Sequence, residues 1–272
     1  MKKMIMLLLV IILTGCNSDR EYSRNIFAMD TYINVKLYMD NNNVDYIYDN
    51  VSNIYNEYNN LCDRYKAYDG LVNIYYLNEV LKNDERIEIP LKLSEIIEYG
   101  LEQYDNTSGL FNIAIGNVSD VWKKYMNEGN RVPSLFELKN SGSTSIDDVF
   151  LDDNIYYKKN DVKLDLGGIC KGYATEVVGD YLEMLSINKY LINAGGNVKV
   201  GKHYEDGRYV IGIQHPEDDV LLTKISVNNK AVVTSGDYQR YYEVDGVRYN
   251  HIINPKTLYP ANYSKSVTVI SD

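Results

Sequence analysis

From Thr31 to Tyr38 apolar and polar positions alternate, with Ile33, Val35 and Leu37 on one side and Tyr32, Asn34, Lys36 and Tyr38 on the other. A period of two is that of a half-buried strand. The spacing then lengthens to three and four. Val44, Ile47, Val51, Ile54, Tyr55, Tyr58 and Leu61 form one stripe, and Leu93, Ile96, Ile97, Leu101 and Tyr104 a second, which predicts two core-facing helices. After Asn106-Thr107-Ser108-Gly109 and Phe111, a short helix is expected around Trp122, and Ser134 to Glu137 has the form of a capping box that opens another. From Val149 onward strands dominate, at 149–151, 155–158, 162–166, 190–193, 209–213 and 221–227, interrupted by one helix over about 169–185. Asp245-Gly246, between strands at 241–244 and 247–252, reads as the type I′ turn of a hairpin. No internal repeat or low-complexity linker divides the chain. The pattern predicts an α+β fold, a single domain of mostly antiparallel strands with packed helices.

The N-terminus follows a different rule. Lys2 and Lys3 precede an apolar run from Met4 to Leu13, which is too short to cross a hydrocarbon core of about 30 Å as a helix and suits a signal peptide over residues 1–15. Leu13-Thr14-Gly15-Cys16 closes the run and resembles the bacterial lipobox, in which the cysteine is lipidated and begins the mature chain. An ordinary secretory signal with an incidental cysteine is the weaker alternative, because small residues directly before a cysteine at this point are a narrow pattern. Two or three acyl chains on Cys16 anchor stably where a single chain binds only marginally. The expected location is the extracytoplasmic face of a bacterial cell membrane, with residues 16–23 as a lipidated polar tether and the domain over residues 24–272.

Charge narrows the partners. Asp and Glu number 38 against 28 Lys and Arg, a net charge of −10, and nucleic-acid binding, which needs a basic face, is not expected. Besides Cys16 the chain has Cys62 and Cys170. An oxidising compartment would permit a disulfide, but cysteines this far apart are expected to be separate buried thiols. No second apolar stretch reaches transmembrane length.

Three segments carry candidate chemistry. In LDLGGICKGYA, Leu164 to Ala174, a strand ends at an acid, two glycines allow a tight turn and a helix begins. Free N–H groups at such a helix start suit a phosphate, Lys171 could meet its oxygens, and Asp165 could accept from a hydroxyl or an amine. In isolation the segment is equally an ordinary glycine turn, since it matches neither the P-loop nor the dinucleotide spacing. Gly195-Gly196 in YLINAGGNV lets backbone approach a ligand closely. The stretch from Thr234 to Pro255 places hydroxyls, an acid and Arg240 before the hairpin and His251 at its far end. His251 is either a structural strand residue or a ligand contact and general base, because imidazole exchanges protons near neutral pH.

Together these segments resemble the ApbE family of FAD:protein FMN transferases. AMDTY at Ala28 to Tyr32 is similar to the family's Met-Gly-Thr strand, with Asp30 in the glycine position. SGLFNIAIG at Ser108 to Gly116 is similar to its Gly-x-Phe-Asp segment, with Asn112 where aspartate is usual. LDLGGICKGYA, LINAGGN, TSGDYQRYYEVDG and HIINPKTLYPA follow in family order, with Asn254 for the usual aspartate and Leu258 for the usual glycine. The likeness runs from about Phe27 to the last residue.

The resemblance implies a T-fold-like domain and a reaction. FAD is bound with Mg2+, its FMN half passes to a threonine or serine hydroxyl of a partner redox-protein subunit as a phosphoester, and AMP is released. Such transfer is mostly positioning and charge neutralisation. Carried over by residue, it implies that Asp165 and Lys171 contact FAD, that Met29, Tyr65, Leu110, Phe111, Asn112 and Ile252 line its site, and that the Gly168 carbonyl is a magnesium ligand. On chemical grounds, not by carry-over, His251 is the candidate for taking the acceptor proton. Family members continue past the strand matched by Ser266 to Ile270 into a helix whose aspartate and threonine side chains hold the metal, whereas this sequence reads to Asp272. A truncated metal site is therefore expected, since Mg2+ demands several oxygen ligands. Two alternatives to the transferase remain, an FAD pyrophosphatase that uses water as acceptor and an FAD-binding lipoprotein without chemistry.

Overall fold

The computed structural model describes residues 19–40, 43–203 and 207–272. The signal peptide and Cys16 lie outside the described residues. The alternating segment forms β2 (Thr31–Met39), paired antiparallel along its length with β1 (Arg20–Ala28). β1 begins inside the stretch expected to be a tether. Arg20 to Ser23 pair with Met39 to Lys36, so their backbone hydrogen bonds are made in the ladder and not to water.

The first stripe is helix α1 (Val44–Cys62), and the second is α2 (Leu91–Asn106). The later helices are α3 (Gly116–Glu128), α4 (Leu135–Lys139) and α5 (Cys170–Met184). Ser134 and Glu137 make the expected reciprocal capping box at the start of α4. Strand β3 (Ile87–Glu88) flanks a small sheet with β4 (Val149–Asp152) and β5 (Ile155–Lys158), in the order β3-β5-β4.

Six antiparallel strands form the main sheet. To β1 and β2 are added β6 (Tyr190–Ala194), β7 (Asn197–Val200), β10 (Lys230–Gly236) and β13 (Ser266–Ser271), in the order β1-β2-β6-β7-β10-β13. Between them in sequence are two hairpins, β8 (Tyr209–Gln214) with β9 (Leu221–Val227), and β11 (Tyr241–Val244) with β12 (Val247–Asn250). The type I′ turn is present, with Asp245 at φ 50° and Gly246 at φ 76°. β12 stops at Asn250, short of the expected 252; the His251 N–H still bonds the Arg240 carbonyl in register, but the Ile252 N–H turns back to the Asn250 side chain.

Register decides which side chains enter the core. Ile33, Val35 and Leu37 lie opposite Ala194, Ile192 and Tyr190, and all six join one core with Val51 and Tyr55 of α1 and Val178 and Leu182 of α5. On the opposite face Val198, Val200 and Val232 pack against Tyr209, Ile211 and Ile213 of the β8–β9 hairpin. A third cluster surrounds Trp122 of α3, which donates to the Leu258 carbonyl at 2.8 Å and stacks on Tyr249 of β12. Leu258 has φ 63°, a left-handed conformation that favours glycine.

Two expectations fail for identifiable reasons. The segment 162–166 is extended but joins no ladder. Its backbone is satisfied by other means. The side chain of buried Asn78 accepts from the Leu164 N–H at 2.7 Å and donates to its carbonyl at 2.9 Å, and the Asp165 N–H donates to the Ile113 carbonyl at 2.8 Å. An amide side chain thus replaces a neighbouring strand. Cys62 and Cys170, expected to be separate thiols, form a disulfide that ties the last residue of α1 to the first of α5, at a Cα–Cα distance of 6.5 Å. These helices pack together, which brings cysteines 108 residues apart within bonding reach.

Two stability measurements check these features. Asn78→Ala leaves a buried N–H and a buried carbonyl unpaired and is expected to cost about 2–4 kcal/mol, read as a lower urea midpoint with unchanged m. The double substitution of Cys62 and Cys170 by serine is expected to cost about 2–5 kcal/mol. An unchanged midpoint under oxidising conditions would show that the disulfide contributes nothing.

Candidate functional site

The β1–β2 connection is a two-residue turn in which Met29 and Asp30 both have positive φ, 54° and 55°. Aspartate tolerates this conformation and methionine does not favour it, so something must hold the turn. Asn59 of α1 accepts from the Met29 N–H at 2.9 Å. The β6–β7 turn lies directly beside it. A Cβ on Gly195 would collide with the Thr31 hydroxyl, and Gly195 and Gly196 have φ 62° and 92°, so both glycines are required.

The LDLGG segment arrives from the other side. Asp165 Oδ1 accepts from the Gly167 N–H at 3.0 Å, and Oδ2 accepts from Arg64 at 2.7 Å. Arg64, which follows α1, is only 7 % exposed and also donates to the Gly116 carbonyl at 2.8 Å and to Asp120 at 2.9 Å. Gly168 packs under Phe111, whose ring would meet a Cβ there at 3.0 Å. Asn112, next along, caps the turn Ile113–Ile115 by accepting from the Ala114 N–H and donates to the Thr144 carbonyl at 3.0 Å. A carboxylate could make the first bond but not the second. Its amide therefore serves the scaffold, while Leu110 beside it is exposed.

Charges converge above this floor. Tyr65 is half exposed, with the Lys123 ammonium 3.1 Å from its ring centroid. Burial raises the Tyr65 phenol pKa, and the charges of Arg64, Asp165, Asp120 and Asp30 act on it. Lys123 is lowered by burial and by Arg64. Lys171, half-buried in the first turn of α5, is lowered by burial and then by Arg240, against the charge of Asp30.

His251 lies just past β12. Its pKa is lowered by loss of water around the ring and by Arg240 and Lys171, against the bond to the Arg240 carbonyl, which raises it. That bond spans 3.2 Å from Nδ1. A carbonyl can only accept, so Nδ1 carries the hydrogen and the neutral ring presents Nε2 as an acceptor. Ile252 follows, its N–H accepted by Asn250 at 2.8 Å and its carbonyl bonded by the Ala261 N–H at 2.7 Å.

The structure thus brings Met29, Tyr65, Phe111, Asp165, Gly168, Lys171 and His251 into one region through shared contacts and mutual charge. Sequence reading missed Arg64, Lys123, Asn59 and Asn250. An arginine between Asp63 and Tyr65 and scattered asparagines carry no spacing signal. Magnesium is another matter. No group of three or more His, Cys, Asp or Glu comes together as a metal site among the described residues, and both oxygens of Asp165 are already engaged. The described residues do not form a magnesium site.

The model of the ApbE family matches residues 29–272. An FAD:protein FMN transferase of Klebsiella pneumoniae (strain 342) is 38% identical over 168 residues, which cover 59% of this chain and 51% of that protein. One from Buchnera aphidicola subsp. Schizaphis graminum is 29% identical over 200 residues, covering 70% and 59%. The chain spans about half the length of such curated relatives. The crystal structure of the ApbE protein from Thermotoga maritima MSB8 superposes with TM-score 0.83 at 30% identity, covering 92% of this chain and 82% of that one. The flavin transferase ApbE from Vibrio cholerae shares the fold, with TM-score 0.78 at 24% identity and coverage of 93% and 82%. With the family model matching residues 29–272, this chain belongs to the ApbE family.

Proposed function

We propose that this chain is an FAD:protein FMN transferase that works on the extracytoplasmic face of a bacterial membrane, held there by lipid on Cys16. The observation that carries the reading is His251, with Nδ1–H fixed on the Arg240 carbonyl and its pKa held down, in the same region as Lys171 and the Asp165–Gly168 turn. In the proposed step a threonine or serine hydroxyl of a redox-protein subunit attacks the FMN phosphorus of FAD. The P–O bond to AMP breaks, AMP leaves with the electron pair, and the hydroxyl proton passes to Nε2 of His251.

The rest of the site supports positioning. Arg64 holds the Asp165 carboxylate in place, and Asp165 in turn fixes the Gly167 N–H in the turn that leads to Gly168. Exposed Leu110 and Ile252 offer apolar surface to the flavin or adenine ring. Mg2+ in the family supplies charge neutralisation at the phosphates, and only the Gly168 carbonyl is assigned to it here. β1 runs nine residues from Arg20 to Ala28, next to the site, so the site lies about 25–30 Å along the strand from the end nearest the proposed anchor.

The test is incubation of folded protein with FAD, magnesium and an acceptor that another transferase can flavinylate. A gain of FMN mass on the acceptor is expected. FMN and AMP without adduct would mark an FAD hydrolase, and intact bound FAD would mark a binding protein; either overturns the transferase reading. His251→Gln is expected to lower the transfer rate about 10²–10⁴-fold with FAD affinity unchanged, measured by calorimetry.

A second expectation concerns pH. Because the folded protein lowers the His251 pKa, the base form persists at neutral pH and is lost only as pH falls. The acid limb of kcat/KM should therefore lie below the ordinary imidazole value of about 6.5. It should be absent from the residual rate of His251→Gln.

A further inference from the structure

The acid ahead of the β11–β12 hairpin is Asp237, and the proposed transfer makes no use of it. It follows the last residue of β10 and is only 7 % exposed, which makes it the one buried carboxylate among the described residues. Its backbone is pinned, since the Asp237 N–H donates to the Lys265 carbonyl at 3.0 Å. Its side chain is held differently. Oδ1 lies 3.9 Å from an Arg248 guanidinium nitrogen and Oδ2 lies 3.8 Å from the Lys265 ammonium, both beyond hydrogen-bond reach. Oδ1 is also the only buried carboxylate oxygen among the described residues that accepts no hydrogen bond. Buried polar atoms are normally satisfied, so an oxygen left to face a guanidinium by charge without a hydrogen bond requires an explanation.

Arg248 supplies one. It belongs to β12 and is paired with Glu243 of β11. Along the ladder from that pair come Tyr242 with Tyr249, Tyr241 with Asn250, and then the His251 N–H on the Arg240 carbonyl at 3.1 Å. The same carbonyl accepts from Nδ1 of the His251 ring. The imidazole is therefore oriented by the last rung of this hairpin. Trp122 stacks on Tyr249 and meets the Tyr242 ring edge-on, which holds the face those two share. Arg248 and Glu243 alternate to the opposite face, where the guanidinium also lies 4.1 Å from the Tyr241 ring centroid. Asp237 meets the hairpin through Arg248 and joins it to β10 of the main sheet.

We propose that Asp237 is a positioning residue for His251: its buried charge seats the β11–β12 hairpin on the main sheet through Arg248, and so fixes the rung on which the Arg240 carbonyl orients the imidazole. The inference rests on the flavin-transferase reading of His251. Because the attraction is coulombic and lies in a place almost closed to solvent, the charge of Asp237 carries the role, not its shape. Lys265, just before β13, faces the other oxygen and leaves Arg248 as the contact to the hairpin.

The experiment compares wild type, Asp237→Asn, Arg248→Gln, the double variant and Arg248→Lys by thermal melt, FAD calorimetry, transfer kinetics and nitrogen NMR of the His251 ring. Wild type should show one neutral tautomer, with the hydrogen on Nδ1. Asp237→Asn keeps the shape and removes the charge, so kcat is expected to fall about ten- to hundredfold through misplacement of the ring. FAD affinity should stay within about twofold of wild type, and both tautomers should be present. Arg248→Gln should do the same, the double variant should be no worse than either single one, and Arg248→Lys should recover part of the rate and of the Nδ1 tautomer. Unchanged kcat with a single tautomer in folded Asp237→Asn overturns the proposal, as do losses that multiply in the double variant or a loss of FAD affinity at unchanged kcat. Collapse of the melt in both single variants overturns it as well, since Asp237 then serves the fold alone. If folded wild type transfers no FMN, the transferase reading fails, and the tautomer of His251 in the variants still decides the role of Asp237.

Discussion

Arg64 carries a permanent charge in a place almost closed to solvent, and it can stay there because Asp165, Asp120 and the Gly116 carbonyl surround its guanidinium. Stripping water from such a group costs several kcal/mol, and only well-aimed acceptors offset it. Each acceptor fixes a different part of the site. Asp165 shapes the glycine turn that leads into α5. The Gly116 carbonyl belongs to the first residue of α3, which lies so close to the 162–166 segment that a Cβ there would meet the Lys163 carbonyl at 2.6 Å. Through α3 the influence reaches Trp122, the β11–β12 hairpin stacked on it, and so His251. One guanidinium therefore relates the two halves of the site, which arrive from opposite ends of the chain.

The electrostatics follow from that arrangement. Among the described residues Lys36, Lys92, Lys163, Lys189, Lys199, Lys230 and Lys265 reach carboxylates, in a chain of net charge −10. Arg64 engages two of the carboxylates nearest the site, Asp165 and Asp120.

Periodicity revealed the scaffold well. The stripes at Val44 and Leu93, the alternation at Thr31 and the Asp245-Gly246 turn each became the predicted element. Elements held by single polar side chains stayed hidden. Asn78 replaces a whole strand beside Leu164, and no hydropathy pattern marks an asparagine that will do so. The Met29-Asp30 turn lacks the Asn-Gly or Asp-Gly signature because Asn59, thirty residues away, stabilises it. Arg20 to Ser23 read as tether because the start of β1 is polar, and the first buried residue of the strand is Ile26. For the candidate site, ordered motifs pointed to Asp165, Lys171 and His251. They gave no sign of Arg64, whose role depends on what folds around it.

The disulfide joins these threads. Cys62 precedes Asp63 and Arg64, and Cys170 precedes Lys171, so the bond fastens together the two junctions that deliver the buried arginine and the site lysine. Bonds of this kind persist in oxidising compartments and are rare where thiols are kept reduced. α1 and α5 also pack together through Val51, Tyr55 and Val178, and that packing brings the two thiols together. The crosslink therefore does not create the site. It removes alternatives in which the Arg64 loop and the start of α5 drift apart.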